Sequence, residues 1–413
     1  MGNPDLTLEA GPTHRCMTKR LRLLTALFIG KSLLGALPGT AQSFVPTMAP
    51  AQNWSCIACS ADGTRVAAAA SYGYLYTSTN SGQNWTMAST TADGIEPQRP
   101  WTGLALSADG SKLLAAANFN PLLLSTNFGQ TWFQSGPARV WAAVASSADC
   151  TKLVALDNDS GLIYASADSG STWQPTSAPN KRWRSVACSA DGTRLAAGSD
   201  YGSNYDDVPS IYTSTNSGLT WTRSSAPALT WQTIASCADG TRLIAGSYPG
   251  PIYLSTDSGA EWTEAKVPAQ HWQSVGCSAD GTKALAAAEE GVIYISADSG
   301  RTWTVANAPQ ASWQAAACSG DGTKLFAGIW NIWDPPTGIY SSDMLPLLTI
   351  GYSKGATMLS WPATAVGFTL QQTSDVTSSN WSDVPGNPAA GTLKSQIILP
   401  PQPGAHFYRL IHR

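Results

Sequence analysis

Charge is what this sequence has least of. Only 12% of its 413 residues are Asp, Glu, Lys or Arg, against about 25% in ordinary globular domains, so Ser, Thr, Asn and Gly must carry the surface. The 24 basic residues nearly balance the 27 acidic ones, leaving a net charge of −3. Without a basic excess the argument for a nucleic-acid partner falls away, as does a polybasic membrane anchor. Histidine is scarce as well: of His14, His271, His406 and His412, only His271 lies in the region that carries the repeat described below. A polyhistidine metal cluster or a His-centred triad is therefore not expected there, and the sequence implies no cofactor and no metal ion. No integral membrane segment is implied either, because no apolar run reaches the roughly 20 uninterrupted residues that a span requires.

The first 41 residues read as a targeting segment. From Met17 the chain runs Met-Thr-Lys-Arg-Leu-Arg, then the apolar Leu23 to Gly30, Lys31, and a second apolar stretch to Leu37, followed by Gly39-Thr40-Ala41 with small residues where a signal peptidase cuts. That layout is a secretory signal. Pro4, Asp5, Glu9 and Pro12 lie ahead of it, as a misassigned start would leave them. A mature protein beginning near Gln42, secreted or periplasmic, is expected.

What is abundant is repetition. Trp54, Trp101, Trp141, Trp183, Trp231, Trp272 and Trp313 recur at spacings of 47, 40, 42, 48, 41 and 41, a period that signals a propeller or a solenoid. Each copy is all-β. In the fourth, Val186-Ala-Cys alternates after the Trp, Ala190-Asp191-Gly192-Thr193 is a turn, Arg194 to Gly198 is a second strand, Ile211-Tyr212-Thr213 a third, and the fourth begins at Trp221. Four short antiparallel strands make one propeller blade. The innermost strands crowd the axis, and Ala58, Ala105, Ala145, Ala187, Ala235, Gly276 and Ala317 are small where that demands it. The seventh copy stops at Ile339-Tyr340-Ser341-Ser342 without a fourth strand, whereas Phe44-Val-Pro-Thr-Met-Ala-Pro50 matches the strand-four tail Trp303 to Pro309. An N-terminal strand is thus expected to complete the last blade, which removes exposed sheet edges. The expectation is an all-β, seven-bladed β-propeller over 42–343, closed by that strand and followed over 347–413 by a small β-sandwich.

Six segments read Ser-x-Asp/Asn-x-Gly-x-x-Trp: Ser78 to Trp85, Ser125 to Trp132, Ser166 to Trp173, Ser214 to Trp221, Ser255 to Trp262 and Ser296 to Trp303. This pattern resembles the Asp-box, or BNR repeat, of sialidases, sortilin-type receptors, xyloglucanases and the photosystem II assembly factors of the Ycf48 kind. The resemblance implies the propeller and leaves activity open, because those proteins bind or cleave unrelated things. In physical terms the Asp or Asn accepts turn N–H groups, Gly takes a left-handed backbone and Trp packs between sheets, which is scaffold. Cys59, Cys188, Cys277 and Cys318 share one strand position in different blades, so they are read as small buried hydrophobes in separate packing layers rather than disulfides. After Asp343-Met-Leu-Pro346 the period ends. Leu-Ser-Trp-Pro-Ala, Gly-Phe-Thr-Leu-Gln-Gln-Thr-Ser-Asp and Phe-Tyr-Arg-Leu in the C-terminal segment resemble the fibronectin-like modules of secreted bacterial proteins, implying a spacer or adhesion module.

The turns after strands one and three are uniform and share one rim; everything irregular falls on the other, where binding sites sit on rigid scaffolds. Three loops stand out there. The stretch Ser89 to Pro100 carries Asp93, Glu96 and Arg99. The stretch Asp200 to Asp207 is acidic and aromatic, with Tyr201, Tyr205, Asp206 and Asp207. Ile329 to Pro336 adds Trp330 and Trp333. Arg139, Lys181, Arg182 and Arg184 form a basic group in consecutive loops that could meet an anionic partner. The spacing of Asp200, Asp206 and Asp207 is not that of a calcium loop. Candidate ligand-binding residues are therefore Arg99, Arg139, Arg182, Arg184, Tyr201, Tyr205, Asp206, Asp207, Trp330 and Trp333. No catalytic residue is assigned. The expected function is an exported, non-catalytic binding or assembly scaffold for a protein or carbohydrate, acting as a monomer. The alternative is a glycoside hydrolase, which needs two carboxylates about the bond; Asp157, Asp159, Glu289 and Glu290 are the candidates on that rim.

Overall fold

The computed structural model describes residues 42–88, 98–201, 207–330 and 338–343, and in the C-terminal segment 349–353, 356–362, 368–374, 380–385, 389–390, 394–399 and 407–412. Residues 1–41, with the expected signal, lie outside the described residues, as do Asp93, Glu96, Tyr205, Asp206 and Trp333. Thr40–Pro346 form one compact unit, and Leu347–Arg413 belong to another.

Every regular element described is a strand. Blades 4, 5 and 6 are separate four-stranded antiparallel sheets, blade 4 running Trp183–Cys188, Leu195–Ser199, Ile211–Ser214 and Thr222–Arg223. Blade 7 is completed as expected: Val45–Pro46 pairs antiparallel with Ile339–Asp343, Val45 opposite Ser341 and Pro46 opposite Tyr340. Blades 1 to 3 depart from four short strands each. Leu113–Ser125 joins the second and third strands of blade 2 in one element, Phe133–Ser146 carries the fourth strand of blade 2 into the first of blade 3, and the three blades share one ten-stranded sheet. The cause is register. Ser71 and Gly73 of blade 1 pair with Pro100 and Arg99 of blade 2, and Asn118 and Asn120 of blade 2 pair with Val140 and Arg139 of blade 3.

Apolar packing lies between blades. Seven buried clusters occupy the seven interfaces, including the closing one, where Trp54, Ile57 and Val66 of blade 1 meet Ala315, Ala317 and Phe326 of blade 7. Each cluster holds one leading Trp, all of them buried, with the ring edge-on to a Tyr in five blades besides the first, as in Trp183–Tyr212 at 5.8 Å. Four of these Trp also lie against the Trp that ends a Ser-x-Asp/Asn-x-Gly-x-x-Trp segment, at 6.2 to 6.5 Å. In those segments the Ser hydroxyl accepts the Gly N–H, as Ser78 Oγ does from Gly82 at 2.9 Å. Asn80 Oδ1 accepts the Asn84 N–H at 2.8 Å, and Gly82 sits at φ +84°.

The turn after strand one closes the ring at the uniform rim. The N–H of Ala61 donates to Ala108 O, and the chain of donors continues through Ala108, Ala148, Ala190, Ala238 and Ala279 to the carbonyl of Gly320, at 2.7–2.8 Å; Asp321 N–H returns to Ala61 O at 3.1 Å. Cations reinforce it: Arg65 Nη1, Lys112 Nζ and Lys283 Nζ donate to the next blade's Gly110 O, Asp149 O and Gly322 O at 3.2, 2.9 and 3.0 Å. A spiral without contact between first and last units cannot make this circuit.

Among the described residues, the C-terminal unit has two sheets. Thr349–Ser353, Ala356–Pro362, Lys394–Leu399 and Ala389–Ala390 form one, and Ser382–Asp383, Phe368–Thr373 and Phe407–His412 the other. Leu359, Trp361 and Leu399 from the first pack with Leu370, Val384 and Tyr408, so the sheets share one core, as a sandwich requires.

Candidate functional site

The central channel encloses about 270 Å³ and is bordered by inner-strand residues of all seven blades. Of the small residues expected there, all but Ala187 line it. Cys59, Cys188, Cys277 and Cys318 also border it, although each packs against a different inter-blade cluster. All four are free. Burial pushes the Cys59 and Cys188 thiols up to about 12 and the other two well above 9.0, so none is a thiolate nucleophile at neutral pH.

At the irregular mouth the repeat builds a fixed frame. The second strand ends opposite the leading Trp, and the next residue donates its N–H to the carbonyl preceding that Trp. Ser71, Asn158, Asp200, Tyr248, Glu289 and Trp330 do so to Asn53, Val140, Arg182, Thr230, His271 and Ser312 at 2.7–3.0 Å. In blades 4 and 6 the side chains so placed meet that of the residue following the Trp, Asp200 with Arg184 and Glu289 with Gln273; that residue is Gln232 in blade 5 and Gln314 in blade 7.

A polar network follows. Gln232 Nε2 and Gln314 Nε2 both donate to Gln273 Oε1, at 3.1 and 3.2 Å, so three successive blades are bridged by amides. Gln273 Nε2 donates to Glu289 Oε2 at 2.9 Å, and Tyr248 OH donates to the same oxygen at 2.6 Å. That hydrogen bond, with burial and the charges of Glu289 and Glu290, raises the Tyr248 phenol above its ordinary value. The Tyr248 ring lies 4.7 Å from His271. In blade 4, Arg184 Nε donates to Asp200 Oδ2 at 2.5 Å and Arg182 Nε stands 3.6 Å from Oδ1, so two guanidinium groups share one buried carboxylate. Asp157, also buried, accepts from Arg139 Nη1 at 3.0 Å, Asp159 N–H at 3.1 Å and Ser160 Oγ at 2.7 Å.

Sequence-level candidates are distributed unevenly over this frame. Arg99, Arg139 and Lys181 occupy the same position, two residues before a leading Trp, and each cation lies over a ring: Trp101 at 5.6 Å, Tyr164 at 4.5 Å and Tyr212 at 5.9 Å. Arg99 is only 2% exposed, and burial pulls its guanidinium below the ordinary value. Lys181 pairs with Asp207. Tyr201 is exposed and Trp330 half-buried. Gln232, Gln273, Gln314, Tyr248 and His271 were not singled out by sequence; the available signal was the residue after each leading Trp, polar and long in four successive blades. Among the described residues, no group of three or more His, Cys, Asp or Glu is arranged to hold a metal, and no helix is long and apolar enough to cross a membrane.

Solved structures share the fold of this chain. Titled "YCF48 bound to D1 peptide", one has a TM-score of 0.57 at 16% identity, covering 75% of this chain and 99% of that one. Those are β-propellers. YCF48 from Cyanidioschyzon merolae matches at 0.55 and 15% identity, over 74% of this chain and 98% of that one. The Cps50 (Swd1) β-propeller domain of Myceliophteria thermophila matches at 0.56 and 12% identity, over 73% and 98%. At such identities the likeness is one of fold. No protein-family model matches the chain, and no curated protein matches it.

Proposed function

We propose that this chain is a non-catalytic binding or assembly scaffold whose partner, a polypeptide, sits at the irregular mouth of the propeller. The observation that carries the reading is the amide ladder Gln232–Gln273–Gln314. It spans three blades at the channel mouth and places peptide-like donors and acceptors on a rigid frame, while the opposite rim spends its polar groups on ring closure. The propeller neighbours support it, one of them being YCF48 bound to D1 peptide. On this reading the six Ser-x-Asp/Asn-x-Gly-x-x-Trp segments are Asp-boxes of BNR type, 347–413 is a fibronectin-like module that spaces or anchors the propeller, and 1–41 directs export to the periplasm or beyond. The hydrolase alternative gains little, since the Asp157 carboxylate is already occupied by Arg139, Ser160 and the Asp159 N–H.

The test is a selection of random dodecapeptides displayed on phage against the immobilised full chain, with affinities of the enriched peptides measured by fluorescence anisotropy. Peptides that weaken at least tenfold on Gln273→Ala are expected. Enriched peptides indifferent to Gln273, or steady turnover of sialosides or β-glucans abolished by Glu289→Gln, would sink the proposal.

A further inference from the structure

Two aromatic residues on the irregular rim are held in a backbone conformation their side chains disfavour. Tyr72 and Phe119 have φ of +53° and +59°, the left-handed region in which a bulky residue is a genuine outlier. Each is also a one-residue bulge. The pairing of blade 1 with blade 2 skips Tyr72 between Ser71 and Gly73, and that of blade 2 with blade 3 skips Phe119 between Asn118 and Asn120. Bulges re-aim a side chain, and both rings end up in solvent, 78% and 77% exposed. Strain, bulge and exposure thus coincide at the same turn position of two adjacent blades. Strain of this kind persists where the surrounding structure enforces it, and it collects at ligand sites. The register that enforces it is the one that pairs Arg99 with Gly73 and Arg139 with Asn120, burying Arg99 and half-burying Arg139.

Around the same mouth the turn position of Tyr72 is filled by Asp159 in blade 3, Tyr201 in blade 4 and Glu290 in blade 6, the last also left-handed at φ +50°. Next to Glu290 is Glu289, whose hydrogen-bond donors are the neutral Tyr248 and Gln273. Blade 4 mixes both signs, with Arg182 and Arg184 on the carboxylate of Asp200 and Lys181 on that of Asp207. The mouth therefore presents an aromatic sector, one of mixed charge and an anionic one. A neutral polysaccharide repeats a single chemistry along its length, whereas a polypeptide offers apolar, acidic and basic side chains in succession.

Building on the scaffold reading above, we propose that Tyr72 and Phe119 are the docking point for an apolar side chain of an extended polypeptide partner, whose polar residues continue toward blades 4 and 6. The rings cover the apolar side chain from two blades, and the bulges fix the direction of each Cα–Cβ bond before binding, so no backbone freedom remains to be lost there.

Tyr72→Asn and Phe119→Asn remove the rings but suit the backbone, since Asn tolerates the left-handed region; the double variant should unfold at the same temperature as the parent or higher. Dodecapeptides selected on the full chain should share an aromatic or large aliphatic residue, and their affinity should fall at least tenfold in the double variant. Replacing that residue in a synthetic peptide by Ser should cost as much in the parent and nothing further in the variant. Peptides that need Gln273 but bind the double variant unchanged would overturn this inference and leave the scaffold reading standing. If no peptide is enriched, both fail. Binding of xyloglucan or a β-glucan that is lost in the double variant would overturn the choice of a polypeptide.

Discussion

On one rim of the propeller, seven turns of Ala-Asp-Gly-Thr type point their carboxylates inward upon their own backbone. Asp191, for instance, takes hydrogen bonds from Ser189 Oγ, Thr193 N–H and Thr193 Oγ1, while the Ala N–H groups pass from blade to blade around the ring. On the other rim, the same strands end in loops whose carboxylates face Arg139, Arg184 or Tyr248 from elsewhere in sequence. The first rim is a closed account of donors and acceptors, repeated because each blade needs it. The second varies from blade to blade, and its polar groups join neighbours through side chains that differ at each joint. Stability is therefore expected to reside in what repeats and recognition in what does not, and the following changes are ordered by how hard they press on that division.

The largest loss should come from a repeated residue that lies between blades. Trp272 is fully buried and packs with Ile244, Ile252, Val275 and Tyr294. Trp272→Ala should cost about 3–5 kcal/mol, read from denaturant midpoints. A cost near that of an exposed substitution would show that the interfaces, not merely the mouth, are loosely packed.

Acid should act next, and selectively on the uniform rim. The carboxyls of Asp109, Asp149, Asp191 and Asp239 are lowered to about 2, chiefly by hydrogen bonds from the Ser or Cys two residues earlier. A carboxyl depressed in the fold contributes stability that is complete above its unfolded value near 3.8 and is lost as pH falls toward about 2. Melting temperatures should thus hold down to about pH 4 and drop below it, each group's share reduced by solvent screening. Replacing Asp191 by Ala should flatten part of that drop; an unchanged acid profile would detach these turns from ring stability.

A smaller effect tests the closing joint. Gly320 stands where six other blades have Ala, and a Cβ there would lie 3.1 Å from Ala61 Cβ and 3.2 Å from its backbone. Gly320→Ala should therefore destabilise by about 1 kcal/mol, against the usual gain from removing a glycine. Stabilisation would mean that the first and seventh blades have room to part.

Much of this was legible from residues alone. The period placed every leading Trp, and the missing Gly-x-x-Trp after Ser342 foretold that Val45–Pro46 closes the ring. Repetition is legible because each copy answers the same packing problem. The mouth was less so. Arg99 reads as a rim charge in sequence but is buried over Trp101, because the pairing of Gly73 with Arg99 draws the loop into the sheet. Gln232, Gln273 and Gln314 lie 41 residues apart in sequence, and only the curvature of the ring brings their amides together. The left-handed bulges of Tyr72 and Phe119 had no composition signal, since the strain comes from inter-blade register and not from the local sequence.

The least costly change is the most discriminating. Glu289→Gln removes a charge from the irregular mouth without removing an acceptor, for Tyr248 OH and Gln273 Nε2 both donate to Oε2 and an amide oxygen takes the same two bonds. Stability at neutral pH should stay within about 0.5 kcal/mol of the parent, as for substitutions away from the packed core. The phenol should respond where stability does not. Its hydrogen bond to Glu289 and the carboxylate charge hold Tyr248 above the ordinary 10.0, so the variant should titrate closer to that value, as carbon-13 NMR of labelled tyrosine would show. A phenol raised in the fold adds stability that is whole below its unfolded value and is lost as pH climbs through the folded one. The parent should accordingly lose more stability than the variant between about pH 10 and the Tyr248 midpoint. If Glu289→Gln instead cost as much at pH 7 as removing Asp191, this carboxylate would belong with the scaffold and the division between the rims would not hold.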